Sequence, residues 1–438
     1  MGEYLKKTLT EVVGKSEVES IMINKSLDTI SRHLILGDIT VFDSLRQMSE
    51  LVNSTIRKIV TQISVELEIQ EYKLPFAVFL FGSPSRNVML PNSDLDIGIV
   101  FQEGVDEKFK DSVRSKFTDL PFDKVDFASW SSLFEMEKVN SSDLIENNKS
   151  IDAKYIAGNI TIRDTHEINI LGLETQQDKS RRIITEYSLF HCFDYLSKIT
   201  TTGPNLKYDF GASRDIIFLD WYYLLKFSGP KSQDQPFFIH GLEYLVSDSI
   251  IDSEEEAQLK IGIELIMLVK FSLLFQSRKT GNKELLYLND SSLETCFEIS
   301  LKALEKLGIS NLEELKNRYY KAKTLLKIAV IKIFESTLKG DTEMENVIKL
   351  SKTEVQLTYE IMSIIKCMTW HHVVPFVIHS KSPEILKYII ELIKNKEDFT
   401  YILRIVSENL YIDQEIVEIL LTTSLPQKYK DKLISKKL

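Results

Sequence analysis

Residues Phe76–Phe101 read FAVFLFGSPSRNVMLPNSDLDIGIVF, and the organisation of the chain radiates from them. Apolar or small residues run from Phe76 to Phe81 into Gly82-Ser83; a polar, turn-rich segment follows; Asp94-Leu95-Asp96 then opens a second apolar run that ends at Phe101. The pattern predicts a strand, a glycine turn, a short helix or loop, and a second strand carrying two carboxylates. Successive side chains of a strand point to opposite faces, so Asp94 and Asp96 share one face. Two carboxylates so placed repel unless a cation lies between them, and a divalent ion with oxygen ligands is the usual solution. Gly82 lets a backbone approach closely, and Ser83 with the amides of the following turn can hold a phosphate.

Downstream, Asp123-Lys124-Val125-Asp126-Phe127-Ala128 alternates polar and apolar residues. This predicts a short strand with Asp126 between apolar neighbours, a candidate third metal ligand and general base. The same hexapeptide alone also fits a surface strand whose polar face holds Asp126; the Asp94–Asp96 pair upstream favours the ligand reading.

The chain has 438 residues, enough for two or three domains each with its own core. Lysine plus arginine number 54 against 64 aspartates and glutamates, a net charge of −10, which argues against a polyanion as the main partner and makes nucleic acid unlikely. Cys192, Cys296 and Cys367 are scattered and odd in number, which gives neither a disulfide framework nor a zinc spacing and suits a reducing cytoplasm. The histidines show no metal-ligand spacing. The N-terminal MGEYLKKTLTEVVGK lacks the apolar core of a signal peptide, and Lys6 stands where a myristoylation motif needs Ser or Thr. The most apolar helical window, Ile261 to Phe275, is interrupted by Glu264 and Lys270; it is expected to be a buried helix, and no membrane association is expected.

From about Glu17 to Glu68 apolar residues recur at helical spacing with a break at Gly37-Asp38, which predicts two helices leading into the sheet. A helix is expected over Asp106–Phe117, ended by Leu120-Pro121, and another over Asp143–Ala157, closing at Gly158-Asn159. Beyond Gly211 the pattern is helical: Asp215–Phe227, Glu254–Gln276, Leu293–Leu307, Leu312–Thr337, Met344–Trp370, and shorter helices near Pro383–Lys394, Phe399–Asn409 and Asp413–Thr422. Lys428–Lys437 is expected to be a solvated, lysine-rich tail. The fold class expected is α+β: a small mixed sheet with helices, followed by an all-α helical bundle. The division expected is 1–70 as helices leading into the catalytic domain, 71–175 as that domain, 176–340 as a helical bundle, and 341–438 as a C-terminal helical domain of unassigned role.

Gly82-Ser83, the ten-residue gap, Asp94-x-Asp96 and the later Asp126 strand together resemble the signature of the DNA polymerase β-type nucleotidyltransferases. Arg86 within the gap, the segment Ser150–Gly158 (SIDAKYIAG), and above all Asn205–Trp221 (NLKYDFGASRDIIFLDW) resemble the bacterial PII uridylyltransferases, with Lys207, Gly211, Arg214, Asp215, Ile216 and Trp221 on matching positions. Ser150–Gly158 resembles a helix of that family that follows the active-site sheet. Ser83 replaces the family's second turn glycine, and Ala212-Ser213 its Gly-Leu. The resemblance covers roughly residues 20–340; no His-Asp pair follows, so a chain lacking the HD hydrolase and ACT domains is expected.

The resemblance implies in-line transfer of a nucleoside monophosphate from a triphosphate, UTP or ATP, to a hydroxyl, with pyrophosphate leaving. In that chemistry two ions about 4 Å apart serve the nucleophile and the leaving group. Asp94, Asp96 and Asp126 would hold Mg²⁺ or Mn²⁺, and Asp126 would also accept the nucleophile's proton. Gly82, Ser83, Arg86 and Ser93 would meet the phosphates; Lys207 and Arg214 would close on them, with Asp215 orienting Arg214 or meeting the ribose. Alternatively, Arg214-Asp215 is a helix cap and ion pair. A protein acceptor is the first expectation; a small molecule or RNA end, or a non-catalytic nucleotide-binding module, are the alternatives.

Overall fold

The computed structural model describes residues 13–127 apart from 92, 119, 121 and 123, then 153–165, 206, 212–213, 215–226, 236–281, 290–337, 382–393, 403, 406–407 and 412–435 apart from 424 and 426. Two long helices come first, α1 (Val13–Ile35) and α2 (Val41–Glu66). Thr40 caps α2 by accepting a hydrogen bond from the Asp43 amide, and Val41, Leu45, Met48, Val52, Ile56, Val60 and Ile63 recur along it as one buried stripe. That stripe covers a face of the sheet.

Among the described residues the sheet has four strands in the order β3-β2-β1-β4: β1 (Phe76–Leu80), β2 (Leu95–Phe101), β3 (Val125–Phe127) and β4 (Lys154–Gly158). β1 runs antiparallel to β2 and to β4, whereas β2 and β3 are parallel, so the sheet is mixed as expected. Between β1 and β2 lies the four-residue helix α3 (Gly82–Ser85), and between β2 and β3 the helix α4 (Glu107–Thr118).

Strand β4 corrects the helix expected over Asp143–Ala157, and with it the likeness of Ser150–Gly158 to a family helix: 154–158 is strand, while 143–152 lies outside the described residues. The far edge of β1 offers unpaired backbone groups, and Lys154 and Tyr155 take them up opposite Leu80 and Phe79. Alternation follows: Tyr155 packs with Phe79, Phe81 and Val100 on one face, and Ile156 with Val78 and Leu80 on the other.

Helices follow: α5 (Ile216–Lys226), α6 (Phe237–Ser247), α7 (Ser253–Thr280), α8 (Asp290–Lys306) and α9 (Leu312–Thr337), then α10 (Pro383–Ile393), α11 (Gln414–Leu421) and α12 (Gln427–Ser435). Asp252 and Glu255 form a reciprocal capping box at the start of α7, and Gly281 ends it in the left-handed conformation. Leu265, Ile266, Leu268 and Phe271 of α7 are buried as expected, while Ile261 is 55% exposed. Helix α6 was not foreshadowed by the sequence; it crosses α5 so closely that a Cβ on Gly241 would lie 2.1 Å from the Leu219 carbonyl oxygen. The tail expected to be solvated is instead helix α12, because Leu433, 2% exposed, gives it an apolar side to bury. The expected helices at Met344–Trp370 and Phe399–Asn409 fall outside the described residues, apart from positions 403 and 406–407.

One buried apolar cluster is continuous through α1, α2, a face of the sheet and α5 to α9. The opposite sheet face carries a small cluster of Ala77, Phe79, Phe81, Val100, Ala153 and Ile162. No described helix is long and apolar enough to cross a membrane.

Candidate active site

Asp96 belongs to the face of the small cluster, since β2 sends Leu95, Ile97 and Ile99 to the large core and Val100 to the other side. Asp126 stands directly beside it, for the parallel register matches Asp96 with Asp126. Asp94, two residues ahead of Asp96, is exposed at the mouth of the strand. Across from Asp96 is Gly82, whose φ of +65° is left-handed and whose missing Cβ would lie 2.9 Å from Asp96 Oδ2. Glycine is therefore required at 82 both for its backbone conformation and for the space the carboxylate fills.

One of the carboxylates, Asp126, pairs with a cation from the chain. Lys124 Nζ lies 2.7 Å from Asp126 Oδ1, and the Lys124 carbonyl accepts from the Leu95 amide at 2.8 Å, which sets this lysine one position before the Leu95–Val125 pair, level with Asp94. The Asp126 hydrogen bond and charge raise the Lys124 ammonium above its ordinary pKa, and Asp94 and Asp96 add to the pull. Three carboxylates are donors of the kind that suit Mg²⁺ or Mn²⁺. Among the described residues no three His, Cys, Asp or Glu side chains are gathered tightly enough to cage an ion by themselves. The carboxylates are of the right chemistry for such an ion, with Asp126 paired to Lys124.

The turn from Gly82 to Ser93 is held from all sides. Arg86 and Val88 amides donate to the Gly82 and Ser83 carbonyls at 3.3 and 2.9 Å. Ser93 Oγ accepts from the Leu90 amide at 3.2 Å, so this predicted phosphate contact also shapes the turn. The Met89 amide donates to Ser49 Oγ of α2 at 3.2 Å, and Arg278 near the end of α7 donates to the Pro91 carbonyl at 3.4 Å. The Phe237 amide at the start of α6 donates to the Arg86 carbonyl at 3.3 Å.

Arg86, predicted to lie near the phosphates, is 9% exposed. Its Nε stands 3.0 Å from Asp220 Oδ2 of α5, an ion pair that is not aimed as a hydrogen bond. The pair ties this turn to the helical region. Asp215 is 1% exposed at the start of α5, where its carbonyl accepts from the Phe218 amide at 3.1 Å. Lys207 and Arg214 lie outside the described residues. Asp220 and Lys154, which the sequence reasoning missed, carry the other buried charges around the turn. A signal for the second existed: a lysine among Ala153, Tyr155, Ile156 and Ala157 is anomalous if the segment is a strand.

Residues 63–157, from the last turn of α2 through β4, match the nucleotidyltransferase domain family model, so this part of the chain is a nucleotidyltransferase domain. No curated protein matches the chain.

Proposed function

We propose that the protein transfers UMP or AMP from a nucleoside triphosphate to a hydroxyl of a protein acceptor, using Mg²⁺ and releasing pyrophosphate. The observation that carries this reading is the register match of Asp96 with Asp126 opposite Gly82, inside a nucleotidyltransferase domain. The acceptor oxygen attacks the α-phosphorus, the bond to the bridging oxygen breaks, and the displaced pyrophosphate takes that electron pair. Asp126 takes the proton of the acceptor hydroxyl. Asp94, Asp96 and Asp126 would hold Mg²⁺ there, in place of the Lys124 ammonium that pairs with Asp126. Bound there, the ion would supply positive charge that stabilises the transfer.

Gly82, Ser83 and Ser93 line the phosphates, and Arg86 serves them through its hold on the turn. The roles of Lys207, Arg214 and Asp215 rest on the likeness of Asn205–Trp221 to the PII uridylyltransferases. The same likeness supports the choice of UTP or ATP and of a protein acceptor, which the net charge of −10 favours over RNA.

The test is incubation with each α-labelled triphosphate, Mg²⁺ and lysate. Label in protein bands is expected, lost in Asp94→Asn/Asp96→Asn. Label confined to RNA or small solutes overturns the acceptor class, and equal labelling by the double variant overturns the centre.

A further inference from the structure

Lys154 is a charge buried where the fold alone has no use for one. It is 6% exposed and lies on the large-core face of β4, paired across the sheet with Leu80. Among the described residues its hydrogen-bond acceptor is Asn87 Oδ1, at 3.1 Å. Asn87 is 2% exposed, has a φ of +60°, and is the residue with which the chain leaves helix α3. Left-handed backbone is rare outside glycine, although asparagine tolerates it better than most residues. Around it, the Asn87 amide reaches the Pro84 carbonyl at 3.4 Å and the Val88 amide reaches Ser83 at 2.9 Å.

From α2, Arg57 and Glu50 act on the same ammonium with opposite signs. Burial, with Arg57 next, lowers the Lys154 pKa to about 8, and Glu50 opposes the shift. A buried lysine charge opposes folding. Methionine would fill the site without that penalty, so the charge points to a task at the turn.

We propose that Lys154 is a positioning residue for the nucleotide turn: its ammonium, held beneath the sheet, fixes Asn87 in the left-handed conformation that ends helix α3 and thereby sets Gly82 and Ser83 against the triphosphate. Its link to the triphosphate rests on the transferase reading; the fixing of the turn does not. Lys154 touches no substrate and lies on the sheet face opposite Asp96. Loss of its proton weakens the hold on Asn87, so the turn loosens as pH rises through the Lys154 titration.

The test is amide hydrogen exchange over residues 82–93 in the full chain, with Lys154→Met, Lys154→Arg and Asn87→Gly, alongside calorimetric titration with Mg²⁺-UTP and Mg²⁺-ATP. Lys154→Met is expected to speed exchange across 82–93 by about tenfold, as loss of one charged hydrogen bond allows. Asn87→Gly, which keeps the backbone conformation and loses the acceptor, is expected to match it. Lys154→Arg is expected to restore protection and to keep it at pH 9, where the wild type loosens. Nucleotide affinity is expected to fall with protection. Wild-type exchange in Lys154→Met, or an equally loose Lys154→Arg with its fold intact, overturns the proposal. Loosening in a protein whose wild type binds neither nucleotide supports the fixing of the turn and contradicts the transferase reading.

Discussion

The two faces of the small sheet treat charge in opposite ways. On the open face Asp94 is exposed, Asp96 and Asp126 are half-buried, and the lysine that meets them has a side chain 66% exposed. On the core face Lys154 is buried under Asn87, and nearby Arg86 is buried against Asp220, whose side chain is 2% exposed. Charges in water can exchange their partners for a ligand at small cost. Buried ones cannot, because a removed partner leaves an uncompensated ion. The open face therefore lets its charges change partners, whereas the core face fixes its charges in place beneath the turn.

Substitutions on the open face should remove activity and leave stability alone, while those on the core face should change stability and act on transfer only through the turn they hold. The largest effect expected is from Asp96→Asn or Asp126→Asn: a loss of about three orders of magnitude in nucleotidyl transfer, with the melting temperature unchanged. Next is Arg86→Met or Asp220→Leu, each expected to cost about 3–5 kcal/mol in denaturant unfolding. The double variant should recover most of that loss, since it removes both charges at once.

Lys154→Met should move stability the other way. A lysine whose folded pKa is about 8, below its ordinary 10.5, binds fewer protons folded than unfolded between those values. Wild-type stability relative to the variant should therefore rise as pH climbs from 8 to 10.5, and below pH 8 the variant should be more stable by roughly 2–3 kcal/mol. Differential scanning of both proteins across that range reads the closing of this gap. Gly82→Ala touches both faces at once: about 1–2 kcal/mol for left-handed backbone, with loss of transfer as its Cβ meets Asp96. The smallest effect expected is from Lys124→Met, a gain of several-fold in Mn²⁺ affinity by calorimetry, because the competing ammonium is gone.

The open face was legible in the sequence because its signals are local. Strand, glycine turn and Asp94-x-Asp96 are contiguous, and a period of two puts both carboxylates on one side. Asp126 needed only one short alternating run. The core face was hidden because its partners are distant along the chain: nothing near Arg86 announces Asp220, and nothing near Asn87 announces Lys154. Strand β4 was misjudged since Ala153–Ala157 continues a helical pattern from Asp143, and only the open edge of β1 makes it a strand. Helix α6 escaped because Gly241, needed for its contact with Leu219, interrupts an otherwise regular apolar spacing.

The measurement closest to the central claim is transfer of α-labelled nucleotide by wild type, Asp96→Asn and Lys124→Met in Mg²⁺, with each variant's melting temperature recorded. The expected result is labelling by the wild type and by Lys124→Met, and none by an equally stable Asp96→Asn. Labelling by Asp96→Asn at the wild-type level would contradict the assignment of the open face as the site of transfer.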